Sequence, residues 1–309
     1  MTRDSAVPPR RDLFGVAIDA LTMAQAVERC RAAVEHGEQL SIGVVNAAKI
    51  VSMRRDPQLR AAVAGCEMVL ADGQSVVWAS RVLRAPLPER VAGVDLFFKL
   101  LAEASERGYH VYFLGARPDV LATMLDEVAR RFPGLKIAGA RDGYFQAADE
   151  PQVAEEIERS GADLLFVGMS SPQKELFLSR WGAATRARVV HGVGGSFDVL
   201  AGVTRRAPLG WQRIGLEWLY RLLQEPRRLG PRYLKTNLAF MMLVARDAMR
   251  RRPRPAPAVP ASPAPAPAAQ ASTAPAPAAP APSVPAPSVP ASPVTPMASV
   301  ATTARGEDR

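Results

Sequence analysis

The stretch "HVYFLGARPDV", His110 to Val120, decides how the rest of the chain reads. An apolar, β-branched run stops at Gly115, and Pro118 then stands where the first turn of a helix would begin. Proline suits that place, because the missing N–H would have had no partner there and the fixed φ is already helical. The turn resembles a helix start that receives an anionic group, and it serves equally well as an ordinary connection between strand and helix. It lacks the full G-x-G-x-x-G spacing and the lysine of a phosphate-binding P-loop, which weighs against a dinucleotide or ATPase site.

Working outward, the same alternation repeats. Strands are predicted at residues 40–45, 67–71, 110–115, 135–140, 163–169 and 188–195. Helices are predicted at 22–35, 73–83, 95–107, 118–131, 150–160 and 173–183. Continuous apolar strands alternating with amphipathic helices predict an α/β fold, a Rossmann-like and mostly parallel sheet with helices on both faces. Ligands of such sheets bind at the carboxyl ends of the strands. Here those ends carry Asn46, Asp72 with Gly73, Gly115 with Ala116, Gly168 followed by "MSSPQKE", and "HGVGGSFD" from His191 to Asp198.

The net charge of +9 becomes informative once it is located. Residues 1–203 carry 24 Lys/Arg against 25 Asp/Glu, residues 204–254 carry 13 against 3, and the remainder carries 2 against 2. The basicity therefore belongs to one short segment. From Pro253 onward the chain is mostly Pro, Ala, Ser and Val, with 16 of its 28 prolines, a composition with too little to bury. The expected organisation is a core at 1–203, a basic amphipathic appendage at 204–252 and a disordered Pro/Ala-rich tail at 253–309.

Within the appendage, Trp211, Ile214, Trp218 and Leu222 recur at helical spacing, and Arg221, Arg227, Arg228 and Arg232 flank them. A second stripe joins Leu234, Leu238, Met241, Met242 and Ala245 ahead of Arg250–Arg252. Apolar faces rimmed by arginine suit an anionic membrane interface, and they suit packing onto a core as well. The longest apolar run, "LAFMMLVA", has eight residues, far short of the ~20 that cross a bilayer. Two cysteines and an N-terminus without an apolar core segment predict a reducing cytoplasm and no signal peptide. Duplex recognition is disfavoured, since the basic residues sit among large apolar ones with no familiar nucleic-acid module.

Individual residues carry two readings each. Asp72 in "ADGQS" is placed either as a helix cap or as a general base for a substrate hydroxyl. Gly192, Gly194 and Gly195 mark a close ligand approach or a bulged strand end, and Asp198 accepts from a sugar hydroxyl or caps a helix. His36, His110 and His191 have no ligand-like spacing, and there is no D-x-D pair. No metal site is expected, so a diphosphate would be met by cations and backbone amides.

Eight pieces in order resemble the WecG/TagA/CpsF family, glycosyltransferase family 26. They are "VVNAAKIV", "ADGQSVV", "RVAGVDL", "VYFLGARPDV", "FPGLKIAGARDGYF", "ADLLFVGMSSPQKE", "VHGVGGSFDVLAGVTRRAP" and "GLEWLYRLLQEPRR", covering about residues 15–234. The resemblance implies a metal-independent, inverting transfer of a hexose or N-acetylhexosamine from a UDP-sugar, without a further cofactor. The implied acceptor is a polyprenyl-diphosphate-linked saccharide at the inner face of the cytoplasmic membrane, serving exopolysaccharide, capsule or teichoic acid synthesis.

By the same resemblance Asp72 matches the general base, and Asn46, Gly73 and Arg90 line the substrate pocket. Gly115, Ala116, Asp142, Gly143, Gly168, Gln173, Lys174, Glu175, Gly192, Gly194, Gly195 and Asp198 fall in donor- and acceptor-binding motifs. Arg206, Arg221, Arg227, Arg228 and Arg232 meet the lipid diphosphate or the membrane. Two departures stand out: "PQKE" replaces the usual P-K-Q-E at Pro172–Glu175, and Val44 replaces a threonine found in some members. A non-catalytic membrane or nucleic-acid binder on a decayed transferase fold is the alternative, and a homo-oligomer is compatible with either reading.

Overall fold

The computed structural model describes residues 9–208, 210–211, 217–224 and 226–250, all within a compact unit spanning Met1–Arg254. The Pro/Ala-rich tail lies outside the described residues, as do Ile214 and the side chain of Trp218.

Six strands form one sheet: β3 (Leu40–Val45), β4 (Met68–Ala71), β5 (His110–Leu114), β6 (Lys136–Arg141), β7 (Leu164–Val167) and β8 (Val189–Gly192). Their order is β4-β3-β8-β7-β5-β6, and every neighbouring pair is parallel. Side chains alternate between faces along a strand, and here both faces are apolar. In β7, Leu164 and Phe166 enter one core cluster while Leu165 and Val167 enter another. The first face is covered by α1 (Met23–His36), α5 (Gly93–Arg107), α6 (Pro118–Arg131) and α9 (Ser196–Leu200). The second is covered by α2 (Ala47–Met53), α3 (Pro57–Ala64), α4 (Gln74–Val82), α7 (Glu150–Ser160) and α8 (Gln173–Trp181).

The expected α/β architecture is thus present, and its topology fixes where a site forms. From β3 the chain steps out to β4, crosses to β5 and β6, and returns to fill the centre with β7 and β8. At the centre β3 feeds α2 on one face, while its neighbour β8 feeds α9 on the other. Diverging connections leave a crevice at the carboxyl ends of these strands, the usual ligand position in open α/β sheets.

An antiparallel hairpin, β1 (Arg10–Leu13) and β2 (Val16–Asp19), precedes the sheet. Its turn places Phe14 at φ 59° and Gly15 at φ 74°. Both central residues at positive φ give the twist a tight hairpin needs, although a phenylalanine there is strained by roughly 1 kcal/mol. The ring of Phe14 packs against Phe240, with centroids 5.3 Å apart.

Phe240 belongs to the last described helix. The last two described helices are α10 (Glu217–Gln224) and α11 (Pro226–Arg250). The face of α11 that packs on α2 and the hairpin carries Phe240, which is 5% exposed, with Leu243, Val244 and Ala248. The stripe singled out in the sequence lies on another face: Leu234 is 73% exposed, Met241 67%, and Leu238, Met242, Ala245 and Met249 are exposed too. Among the described residues no helix is long and apolar enough to cross a membrane.

Candidate active site

Asp72 sits one residue beyond β4, its N–H donating to the Val45 carbonyl at 2.9 Å, so it is fixed beside the end of β3. Its side chain is held from two directions. Gly93, the first residue of α5, donates its backbone N–H to Asp72 Oδ1 at 3.0 Å. Asn46 Nδ2 lies 3.4 Å from Asp72 Oδ2, while Asn46 Oδ1 accepts the Lys49 N–H at 3.0 Å as the cap of α2. An amide nitrogen cannot accept a backbone N–H, so the cap sets which end of Asn46 meets the carboxylate. Gly73 allows this approach: a Cβ there would stand 3.0 Å from the Asn46 Cβ.

Behind this pair lies His191 on β8, fully buried, with Nε2 3.3 Å from the Gly93 carbonyl. A carbonyl only accepts, so Nε2 carries the proton. Burial pushes the His191 pKa down to about 4, outweighing the Gly93 bond, so the ring is neutral near pH 7. The backbone of Gly93 thus links a neutral imidazole to the Asp72 carboxylate.

A cleft of about 1030 Å³ opens at the ends of β3, β4 and β8 and reaches Thr236 and Met241 of α11. Of the residues expected at the site, Asn46, Asp72, Gly73, Arg90, Lys174, Gly192, Gly194 and Gly195 line it. Lys174 is 7% exposed and runs along the glycine turn: a Cβ on Gly192 would lie 3.1 Å from its Cδ. Its Nζ is 2.9 Å from Glu175 Oε1, and the same oxygen lies 2.6 Å from Lys49 Nζ. Burial would raise the Glu175 pKa, but Lys49 and Lys174 reverse this and pull it down to about 2. Burial and the Lys49 charge lower the Lys174 pKa, opposed by Glu175 and Asp72.

Among the described residues, the other expected ones do not line the cleft. Gly115 and Gly168 meet at neighbouring strand ends, where a Cβ on Gly115 (φ 103°) would strike the Gly168 backbone at 2.8 Å. Ala116 accepts the Gly143 N–H at 2.9 Å, and Asp142 Oδ1 accepts the Tyr144 N–H at 2.9 Å, so this corner builds a turn. Gln173 bonds exposed Ser170, and the Asp198 carbonyl accepts the Thr204 N–H.

Arg90 and Arg206 form a network at the cleft mouth. Arg90 Nη1 is 3.2 Å from Glu217 Oε2, Arg206 Nε is 3.4 Å from Glu217 Oε1, and Arg206 grips Asp95 with both Nη atoms at 2.5 and 2.9 Å. Glu217 opens α10, so the network ties that helix to the start of α5. Trp211 meets Tyr220 edge to face at 5.9 Å. Arg221 falls within α10 and Arg227, Arg228 and Arg232 within α11, but their side chains lie outside the described residues.

Sequence reasoning missed Lys49 and Gly93. Lys49 follows Asn46 by one helical turn in "VVNAAKIV", a usable signal once Asn46 is read as a cap. Gly93 acts through its backbone, which no residue type announces.

A protein of Bacillus spizizenii named N-acetylglucosaminyldiphosphoundecaprenol N-acetyl-beta-D-mannosaminyltransferase is 40% identical over 174 residues, 56% of this chain and 67% of that protein. The family model described as glycosyl transferase WecG/TagA/CpsF family matches residues 11–254, nearly all of the described structure. A carboxylate held at a parallel-sheet crevice, and a match across nearly all of that structure, place the chain in the WecG/TagA/CpsF family of glycosyltransferases.

Proposed function

We propose that this glycosyltransferase moves a hexose or N-acetylhexosamine from a UDP-sugar to a polyprenyl-diphosphate-linked sugar, with inversion and without a metal ion. The observation that carries the reading is Asp72, fixed between Gly93 and Asn46 with its carboxylate on the cleft. The name of the Bacillus relative supports the acceptor class, an N-acetylglucosaminyl diphosphate of undecaprenol.

In the proposed reaction Asp72 takes the proton of the acceptor hydroxyl. That oxygen bonds to the anomeric carbon as the bond from this carbon to the β-phosphate oxygen breaks, and the departing nucleotide diphosphate keeps the electron pair. A single displacement of this kind inverts the anomeric centre. Asn46 and the Gly93 amide position the base, and cations at the cleft meet the charge that builds on the leaving group.

The exposed stripe of α11, with Lys235 and Arg250 beside it, supports attachment to an anionic membrane surface on the cytoplasmic side, where a lipid-linked acceptor would lie. The test is mass-spectrometric product detection with a short-chain polyprenyl-diphosphate N-acetylglucosamine, a panel of UDP-sugars and excess chelator. A disaccharide-lipid of inverted configuration is expected. Retained configuration, or turnover abolished by the chelator, would refute the mechanism.

A further inference from the structure

Lys49 and Glu175, 126 residues apart in the chain, meet together with Lys174 beside the cleft. Lys49 Nζ and Lys174 Nζ stand 2.6 and 2.9 Å from a single oxygen, Glu175 Oε1. All three side chains are 9% exposed. Among the described residues Glu175 is the one hydrogen-bond or ion-pair partner of either ammonium. An ammonium has three donors, so two on each lysine are available to another acceptor, and both lysines line the cleft.

The charge does not balance either. Two cations share one anion in a nearly dry place, and like charges there repel strongly. Removing this excess would favour burial, yet the chain keeps it against the Gly192–Gly194 turn, where missing side chains leave the Lys174 stem room. Lys174 also feels the Asp72 charge, so it lies within electrostatic reach of the proposed base. Such a site is completed by an anion with several oxygens.

We propose that Lys49 and Lys174, clamped by Glu175, form the receptor for a diphosphate, the leaving group of the sugar donor. The proposal deepens the function given above and rests on it. When the bond between the anomeric carbon and the β-phosphate oxygen breaks, the electron pair moves onto that oxygen, and the free ammonium donors meet it. Glu175 takes no part in the proton transfer; it is a positioning residue that holds both cations at one spacing. The lipid acceptor also carries a diphosphate, but Lys174 lies along the glycine turn, and the proposal assigns the pair to the nucleotide.

The test is equilibrium binding to wild type, Lys49→Met and Lys174→Met, using UDP, uridine and farnesyl diphosphate as separate probes. Methionine keeps the stem and removes the charge, and thermal unfolding checks each fold; Lys174→Gln serves if the methionine variant does not fold. UDP affinity should fall at least tenfold in each variant, with uridine and farnesyl diphosphate affinity unchanged. Equal UDP affinity in all three proteins would overturn the receptor while leaving the donor assignment intact. A loss confined to farnesyl diphosphate would overturn the assignment to the leaving group. Wild type that binds farnesyl diphosphate but no UDP would sink the donor reading itself, and the receptor for a nucleotide with it.

Discussion

The Gly93 amide donates to Asp72 Oδ1 at 3.0 Å, and the Gly93 carbonyl lies 3.3 Å from His191 Nε2, so the backbone of one residue at the start of α5 anchors both side chains. Neither contact depends on the glycine side chain. The arrangement fixes the carboxylate at the cleft without occupying its second oxygen fully, since Asn46 Nδ2 stands back at 3.4 Å. A base that must take a proton needs that kind of restrained access.

Asp72→Asn tests the role directly. The asparagine oxygen can still accept from Gly93, but its amide cannot take a proton. Turnover should fall by roughly 10²-fold or more, the usual range for loss of a general base. Steady-state kinetics with the lipid-linked acceptor would measure this, alongside a thermal scan showing that the fold persists. Turnover within a few-fold of wild type would assign the proton to another group.

Glu217 provides a second test, of how α10 is held. Its carboxylate meets Arg90 at 3.2 Å and Arg206 at 3.4 Å, and these three side chains are only 12–17% exposed, so solvent screens them weakly. Glu217→Ala leaves two guanidiniums sharing Asp95. Charged hydrogen bonds of this kind contribute about 1.5–3 kcal/mol. At roughly 2–4 °C per kcal/mol for a unit of this size, the melting temperature should drop by several degrees. Hydrogen exchange across residues 217–224 should speed up. An unaltered exchange pattern would mean the network does not restrain the helix.

Much of this architecture was legible because its causes are local. The apolar runs of β3 and β7 and the proline at the start of α6 define strand and helix within a few neighbouring residues, and α6 and α7 match the predicted spans. The hairpin was not legible: its turn uses Phe14–Gly15 rather than the Asn-Gly or Asp-Gly pair that signals a tight turn. Short α2 and α3 follow an apolar strand and offer too few turns to show a period. At the site, Asp72 and Asn46 stood out as polar groups at strand exits, whereas the Lys49–Glu175 pair joins distant elements. The face of α11 that packs was hidden too, because Phe240, Leu243 and Val244 are interleaved with the more obvious stripe.

His191 predicts how stability responds to acid. Its folded pKa is about 4, held down by burial, against an ordinary value of 6.5. Between these values the unfolded chain binds the proton and the folded one does not, so stability is complete above pH 6.5 and falls as the pH drops toward 4. The full shift corresponds to about 3 kcal/mol. Glu175, with its pKa lowered to about 2, adds its loss only below its ordinary value of 4.5. Urea unfolding at pH 7, 6, 5 and 4.5 should show the first limb in wild type and a flatter slope in His191→Gln. Parallel slopes in the two proteins would exclude His191 as the source.

The two faces of α11 should behave differently under substitution. Leu238 and Met242 are 56% and 59% exposed, so Leu238→Glu with Met242→Glu should change unfolding free energy by little, within about 0.5 kcal/mol per site. Inserting an apolar side chain into a bilayer interface contributes up to 1.5–3 kcal/mol when it is fully buried. The double variant should therefore lose at least tenfold in partitioning to anionic vesicles, measured by sedimentation. Phe240→Ala should do the reverse. Its ring is buried against Phe14, and losing it should destabilise the fold by roughly 3–5 kcal/mol, with the stripe itself chemically intact. Vesicle binding that survives both glutamates would place the membrane contact on some other surface.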